Sequence, residues 1–139
     1  MPLAAVIDVA AGVLQRGRPT ETFAVRKAHG DTAGQWEFPG GKREPDESLP
    51  QCLQRELAEE LAISAAIGPY VGLSEYSSST VVIRLHAFLV TDWVGDIKLV
   101  DHDDSIWLLN DELADLEWSP ADIPLVAQVK YLSQDFAVR

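Results

Sequence analysis

A chain of 139 residues with 47% hydrophobic content has room for one compact domain, 1–139, with a real core. Its 22 acidic and 11 basic residues give a formal net charge of −11, which argues against binding duplex nucleic acid, whose phosphates demand a basic stripe. No apolar run is long enough to span a bilayer, Met1-Pro2-Leu3 lacks a basic signal-peptide start, and the single cysteine has no internal disulfide partner, so the expectation is a cytoplasmic protein without a membrane partner.

Leu3 to Gln15 is rich in Ala, Val, Ile and Leu and predicts a strand over about 3–14, with Asp8 an unexpected charge inside it. A turn at Arg16-Gly17-Arg18-Pro19 leads to an antiparallel partner at Thr22 to Lys27, where Arg26 fits a water-facing sheet edge. His29 to Gln35 is a polar loop with two glycines. In Trp36-Glu37-Phe38-Pro39-Gly40-Gly41 the aromatic residues anchor a strand end, and the paired glycines let backbone come close to a ligand.

Next comes a tight charged loop, Arg43 to Ser48, in which Glu47 or Ser48 can cap a following helix. Leu49, Leu53, Leu57 and Leu61 recur at i, i+4 and predict that helix from Ser48 to about Leu61. At about 100° per residue, Glu56, Glu59 and Glu60 fall within an arc of about 100° beside the leucine stripe. Carboxylates so crowded repel unless a cation neutralises them; a solvated acidic face is the alternative. Cys52 reads as a small buried packing residue, since oxygen-preferring metals gain little from a thiol.

Gly68–Tyr76 and Thr80–Val90 have strand composition, with Ser77-Ser78-Ser79 as the turn between them. Alternation in the second puts Arg84, His86 and Phe88 on one face and Val81, Ile83, Leu85, Ala87 and Leu89 on the other, with His86 a sheet-surface residue. Thr91 to Val100 reads as a turn and then a short strand, and Ser105–Leu109 as another strand after the acidic loop Asp101-His102-Asp103-Asp104. Asn110 caps a short predicted helix to Leu116. From Ser119 to about Gln134, apolar Ile123, Val126, Val129 and Leu132 recur at helical spacing, and Ser119-Pro120-Ala121-Asp122 fits a capping box with Pro at the first helical position.

Gly41, Glu47, Arg55-Glu56-Leu57 and Glu59-Glu60 together match the pattern G-x5-E-x7-R-E-U-x-E-E-x-G-U, with U a bulky aliphatic residue. Chance produces that combination on the order of once in 10⁷ starting positions, so it outweighs the solvated-face reading. On these residues the chain resembles the Nudix hydrolases, and the W-E-F-P-G-G run before the box resembles their MutT-like branch. One position departs: the glycine expected after the helix is Ala62, which costs about 1 kcal/mol in the left-handed conformation and is expected to perturb the helix exit without removing a ligand.

The resemblance implies an α/β (α+β) Nudix fold, a mixed sheet in an α/β/α sandwich. It implies Mg²⁺, or Mn²⁺, held by Glu56, Glu59, Glu60 and a backbone carbonyl of the glycine pair, Gly41 foremost. Arg55 would buttress a catalytic glutamate by an ion pair, and Asp101, a few residues before Trp107, would bind metal or help activate water, with His102 beside it. For the nucleotide it implies Arg26 as a phosphate or base contact, Glu37 and Gly40 near the phosphates, and Asp122, in Pro120-Ala121-Asp122-Ile123-Pro124, as base reader. Glu47 is read as a cap more than a ligand.

The implied reaction is metal-dependent hydrolysis of (deoxy)nucleoside triphosphates to the monophosphate and pyrophosphate, in nucleotide-pool sanitation. The small-molecule nucleotide is the implied partner, its phosphates bridged to this acidic chain by metal. CTP, dCTP or modified nucleotides are favoured, with 8-oxo-dGTP close behind. ADP-ribose, a dinucleotide polyphosphate, a capped RNA end or a silent binding module are the alternatives. Nothing in the sequence fixes an oligomeric state.

Overall fold

The structure, a computed structural model, describes residues 5–138. Its elements are β1 (Ala5–Arg16), β2 (Glu21–Arg26), β3 (Trp36–Glu37), β4 (Gly40–Lys42), α1 (Leu49–Leu61), β5 (Ser64–Ala66), β6 (Tyr70–Ser77), β7 (Val81–Val90), β8 (Asp92–Val94), β9 (Asp104–Leu109), a 3₁₀ helix (Asn110–Asp115) and α2 (Ile123–Val138). Residues 3 and 4 of the first predicted strand lie outside the described residues.

The sheet is organised around β1. Ala5 to Leu14 run parallel to β7, while Val9, Ala10 and Ala11 pair antiparallel with β4 on the other side. Only Gln15 and Arg16 pair with β2, which continues into β9 and β3; β6 closes the far edge against β7. The sheet is mixed, as expected.

Alternation along the strands feeds two cores. Ala11, Val13, Leu85, Ala87 and Leu89 face α2 with Leu125, Val126 and Val129. Ala10, Leu14, Phe88 and Val90 face α1, where Leu53, Leu57 and Leu61 are fully buried. Helices on opposite faces of one sheet make the α/β/α sandwich.

Asp8 and His86 explain each other. Asp8 Oδ1 lies 2.9 Å from His86 Nε2, and His86 Nδ1 lies 3.0 Å from the Tyr70 hydroxyl. The His86 bond and charge hold the Asp8 carboxyl below its ordinary range. His86 is thus buried and partnered, where alternation alone read it as a surface residue.

Four local readings need correction. Ser48, not Glu47, caps α1. The Thr91–Val100 segment is reversed: the strand comes first, as β8, and pairs with the unanticipated β5, while the loop follows. Asn110 does not cap the 3₁₀ helix; the Leu109 N–H there donates to Glu112 Oε1 at 2.7 Å. Ser119 to Asp122 form a turn rather than a capping box, and α2 starts at Ile123, because the Asp122 carboxyl is committed elsewhere.

Candidate active site

At the start of α1, Ser48 Oγ accepts the Gln51 N–H at 3.2 Å and Gln51 Oε1 accepts the Ser48 N–H at 2.9 Å, a reciprocal cap. At its end, Ala62 takes the left-handed conformation, φ 61° and ψ 32°, and its N–H donates to the Ala58 carbonyl at 3.2 Å. The exit expected of a glycine is therefore kept, with the strain of a Cβ added. Burying the leucine stripe fixes the rotation of α1 and sends Glu56 and Glu60 toward the β4 side, while Glu59 stays 59% exposed.

Arg55 gathers the acidic residues around α1. Its guanidinium donates to Glu47 Oε1 at 2.6 Å and Oε2 at 3.0 Å, to Glu56 Oε1 at 2.8 Å and to Glu59 Oε2 at 3.3 Å. The paired bonds from Arg55, helped by the Glu44 N–H, hold the Glu47 carboxyl down at about 2. Glu56 itself lies against Gly41: a Cβ there would stand 2.3 Å from the Glu56 carboxyl carbon, so only glycine lets the two meet. The Gly41 carbonyl accepts the Cys52 thiol at 3.4 Å, and burial pushes that thiol up to about 11.

Glu60 is largely enclosed, its side chain 18% exposed. Its Oε1 accepts the Gly40 N–H at 3.1 Å, and its Oε2 lies 3.6 Å from His102 Nε2. At Gly40, φ is 156° and a Cβ would fall 1.9 Å from the Ala10 carbonyl oxygen, so this approach too requires glycine. Burial, with the nearby charges of Glu56 and Glu37, pushes the Glu60 carboxyl up to about 8 against the opposing pull of His102.

The β8–β9 loop delivers His102. Lys98 and Val100 donate backbone N–H groups to the Leu61 and Glu60 carbonyls at 2.9 and 3.2 Å, docking the loop on the end of α1. Arg26 clamps it from below, donating Nε to Asp103 Oδ1 at 2.7 Å and accepting the Asp103 N–H at its own carbonyl. The His102 ring, 6% exposed, then sits 2.9 Å from Glu37 Oε2 with Nδ1 buried and unpartnered. Burial disfavours its charge, but the bond to Glu37 and the charges of Glu60 and Glu37 outweigh this and raise its pKa.

The donor set is all oxygen apart from one imidazole, and it suits a hard divalent ion. Among the described residues no three His, Cys, Asp or Glu side chains already converge on one point. Arg55 draws Glu56 and Glu59 to itself, and His102 lies against Glu60, so protein cations neutralise the glutamates here. Glu60, beside the Gly40 N–H, and the Glu56 carboxylate, against side-chain-free Gly41, are oxygen donors of the kind such an ion takes, so the residues fit it.

Beside this cluster lies a cavity of about 250 Å³ whose lining includes Lys27, Glu37, Tyr76, Leu85, Pro120 and Asp122. Trp36 ties β3 to the segment before α2: its N–H donates to the Glu117 carbonyl at 2.9 Å and its carbonyl accepts the Ser119 N–H at 2.8 Å. That staple brings Asp122 under Phe38, where Oδ2 accepts the Phe38 N–H at 3.0 Å and Oδ1 accepts the Ser119 hydroxyl at 2.6 Å. Asp122 is 4% exposed, and burial pushes its carboxyl up to about 7. Glu37 belongs to both halves, lining the cavity and bonding His102.

The structure therefore brings together Glu56, Glu60, Gly40, Gly41, Glu37 and Arg55, with Asp122 across the cavity. Two expected residues, Asp101 and Arg26, lie apart from that arrangement. Asp101 is 76% exposed and faces His29 at 3.6 Å, Arg26 is tied to Asp103 and Asp104, and the Gly41 carbonyl is engaged by Cys52. His102, not Asp101, is the residue of this loop that lies against Glu60 and Glu37, because the loop docks on the end of α1.

A family model described as NUDIX domain matches residues 6–129. The chain is 42% identical over 121 residues to a CTP pyrophosphohydrolase of Escherichia coli (strain K12), covering 87% of this chain and 89% of that one. It is 31% identical over 127 residues to an 8-oxo-dGTP diphosphatase of the same strain, covering 91% and 98%. The solution structure of the E. coli ORF135 protein superimposes with a TM-score of 0.84 at 39% identity, covering 95% of each chain.

Proposed function

The chain belongs to the NUDIX family as a hydrolase of the MutT-like type, and on that premise we propose that it hydrolyses nucleoside triphosphates to the monophosphate and pyrophosphate with Mg²⁺ or Mn²⁺, favouring CTP and dCTP. The observation that carries this reading is the adjacency of the two halves: Glu37 lines the cavity and, through His102, reaches Glu60. A nucleoside in the cavity would thus present its phosphates to the box carboxylates.

Glu56, Glu59 and Glu60, with the Gly40–Gly41 backbone, would hold the divalent ion. When bound, that ion neutralises phosphate charge and acidifies water. The chain's own groups do the rest. Arg55 fixes the Glu56 carboxylate through the 2.8 Å bond and anchors Glu47. His102 and the Gly40 N–H orient Glu60, and His102 or a box glutamate accepts the proton of the attacking water. Arg26, through Asp103, keeps the loop that carries His102 in place. Asp101 stands at the rim, able to act only if the loop closes further.

Asp122 supports the base preference. A carboxyl poised near neutrality offers a donor and an acceptor together, which match N3 and the exocyclic amine of cytosine. Its ionised form matches the paired N–H donors of guanine, which keeps 8-oxo-dGTP as the second reading, alongside the 8-oxo-dGTP diphosphatase relative. The test is to assay the purified protein with Mg²⁺ against CTP, dCTP, the other canonical and oxidised dNTPs, ADP-ribose and diadenosine polyphosphates. Highest kcat/KM on CTP or dCTP with pyrophosphate release is expected; hydrolysis confined to ADP-ribose or dinucleotides refutes the reading.

A further inference from the structure

Asp8, His86 and Tyr70 form a hydrogen-bonded line that nucleotide hydrolysis leaves unused. Alternation along β1 and β7 turns Val9 and Leu85 toward the cavity and Asp8 and His86 to the opposite face of the sheet. Tyr70 joins them through an irregularity in β6. Gly72 and Leu73 pair with Ala87 and His86, a register that would set Tyr70 opposite Leu89, whose side chain lies in the core under α2. A bulge between Tyr70 and Gly72 sets it opposite Phe88 instead, and so on the face of His86. The Tyr70 ring then packs edge-on against Phe88, centroids 5.3 Å apart at 84°, which holds the phenol in place.

The chemistry of the line assigns its protons. Asp8 is kept ionised by the bond and charge of His86, with the charges of Arg84 and Arg43 adding to it. A carboxylate only accepts, so His86 Nε2 carries the hydrogen of the 2.9 Å contact. In the neutral imidazole that leaves Nδ1 as an acceptor, and the Tyr70 hydroxyl donates to it at 3.0 Å. The order is hydroxyl, base and orienting carboxylate, the arrangement that activates a nucleophile. His86 is enclosed, its side chain 11% exposed, whereas Tyr70 is 51% exposed and open to a reagent.

From this geometry we propose that Tyr70 is a covalent modification site, a phenol that His86 activates toward activated acyl donors, with Asp8 as the positioning residue. The Tyr70 oxygen forms a bond to the acyl carbon as the bond from that carbon to its leaving group breaks. The phenolic proton passes to His86 Nδ1 and from there to the leaving group, and nothing is oxidised or reduced. A neutral acyl donor suits the position better than an anionic phosphoryl donor, because the chain's net charge of −11 repels the latter. None of the three residues lines the cavity, so acylation is separate from nucleotide hydrolysis.

The chain has three tyrosines, and the other two are controls within the same molecule: Tyr76 is 43% exposed and Tyr131 76%. Folded protein treated with N-acetylimidazole near neutral pH, with hydroxylamine-reversible acetylation followed by peptide mass spectrometry, gives a rate for each. Tyr70 should react at least about tenfold faster than either, and the three rates should converge in urea-unfolded protein. His86→Gln and Asp8→Asn, each with an unchanged circular dichroism spectrum, should slow Tyr70 by about tenfold or more and leave Tyr76 and Tyr131 as they were. Asp8→Glu, which keeps the charge, should retain more of the rate than Asp8→Asn. A wild-type Tyr70 that reacts no faster than Tyr131 overturns the proposal and leaves the line a purely structural network; this comparison needs no variant. A fast Tyr70 that stays fast in both His86→Gln and Asp8→Asn also overturns it, because the reactivity then owes nothing to His86.

Discussion

Replacing Asp122 with Asn isolates one buried carboxyl and its pH dependence. Both oxygens are used, one by the Phe38 N–H and one by the Ser119 hydroxyl, and Asn preserves the arrangement if its amide donates to a rotated Ser119 hydroxyl. In the folded chain burial pushes the Asp122 carboxyl up to about 7, against an ordinary value of 3.8. Between those limits the folded state keeps a proton that the unfolded chain releases, so stability falls as pH rises from about 4 to about 7 and then levels off. A gap of about three pH units at about 1.4 kcal/mol each sets the scale of the loss on the order of 4 kcal/mol. Urea unfolding of metal-free protein at intervals from pH 4 to pH 8 measures it, and the difference between wild type and Asp122→Asn removes the contributions of Glu60 and His102. The difference should decline across that interval and be flat above about pH 7.5. A difference that is flat throughout, or that rises with pH, refutes the buried, proton-holding Asp122.

Other outcomes follow from the same geometry. Ala62→Gly should raise stability by about 1 kcal/mol in chemical unfolding, because the helix exit is already left-handed and the Cβ strain is removed; an unchanged or lower stability contradicts the strain. Cys52, fully buried with its thiol pushed up to about 11, should resist alkylation by iodoacetamide at pH 8 in the native protein and react on unfolding; mass spectrometry reads both states. Arg55→Met, which frees Glu47, Glu56 and Glu59 at once, should lower kcat at least about tenfold with circular dichroism unchanged; full activity would remove Arg55 from the site.

Much of this arrangement was legible in the sequence where local physics decides it. The leucine stripe set the face of α1, since Leu53, Leu57 and Leu61 have nowhere to go but the core, and that rotation carries Glu56 and Glu60 toward β4. Alternation in β7 sorted its residues onto two faces for the same reason. What escaped depended on partners distant in sequence. His86 looks like a surface residue until Asp8, 78 positions earlier, lies beside it. Asp122 suits a capping box until Phe38, 84 positions earlier, claims its carboxyl. That His102 rather than Asp101 lies against Glu60 follows only from the docking of Val100 and Lys98 on α1.

The central claim is that the α1 glutamates hold a divalent ion at the mouth of the cavity. Substoichiometric Mn²⁺ added to isotopically labelled protein tests it directly by the broadening of amide resonances. Broadening centred on Gly40, Gly41 and residues 56–60 in the wild type, lost when Glu56 and Glu60 are both changed to Gln, is the predicted result. Broadening centred instead on the acidic loop at residues 101–104, or unaltered by the double substitution, would contradict it.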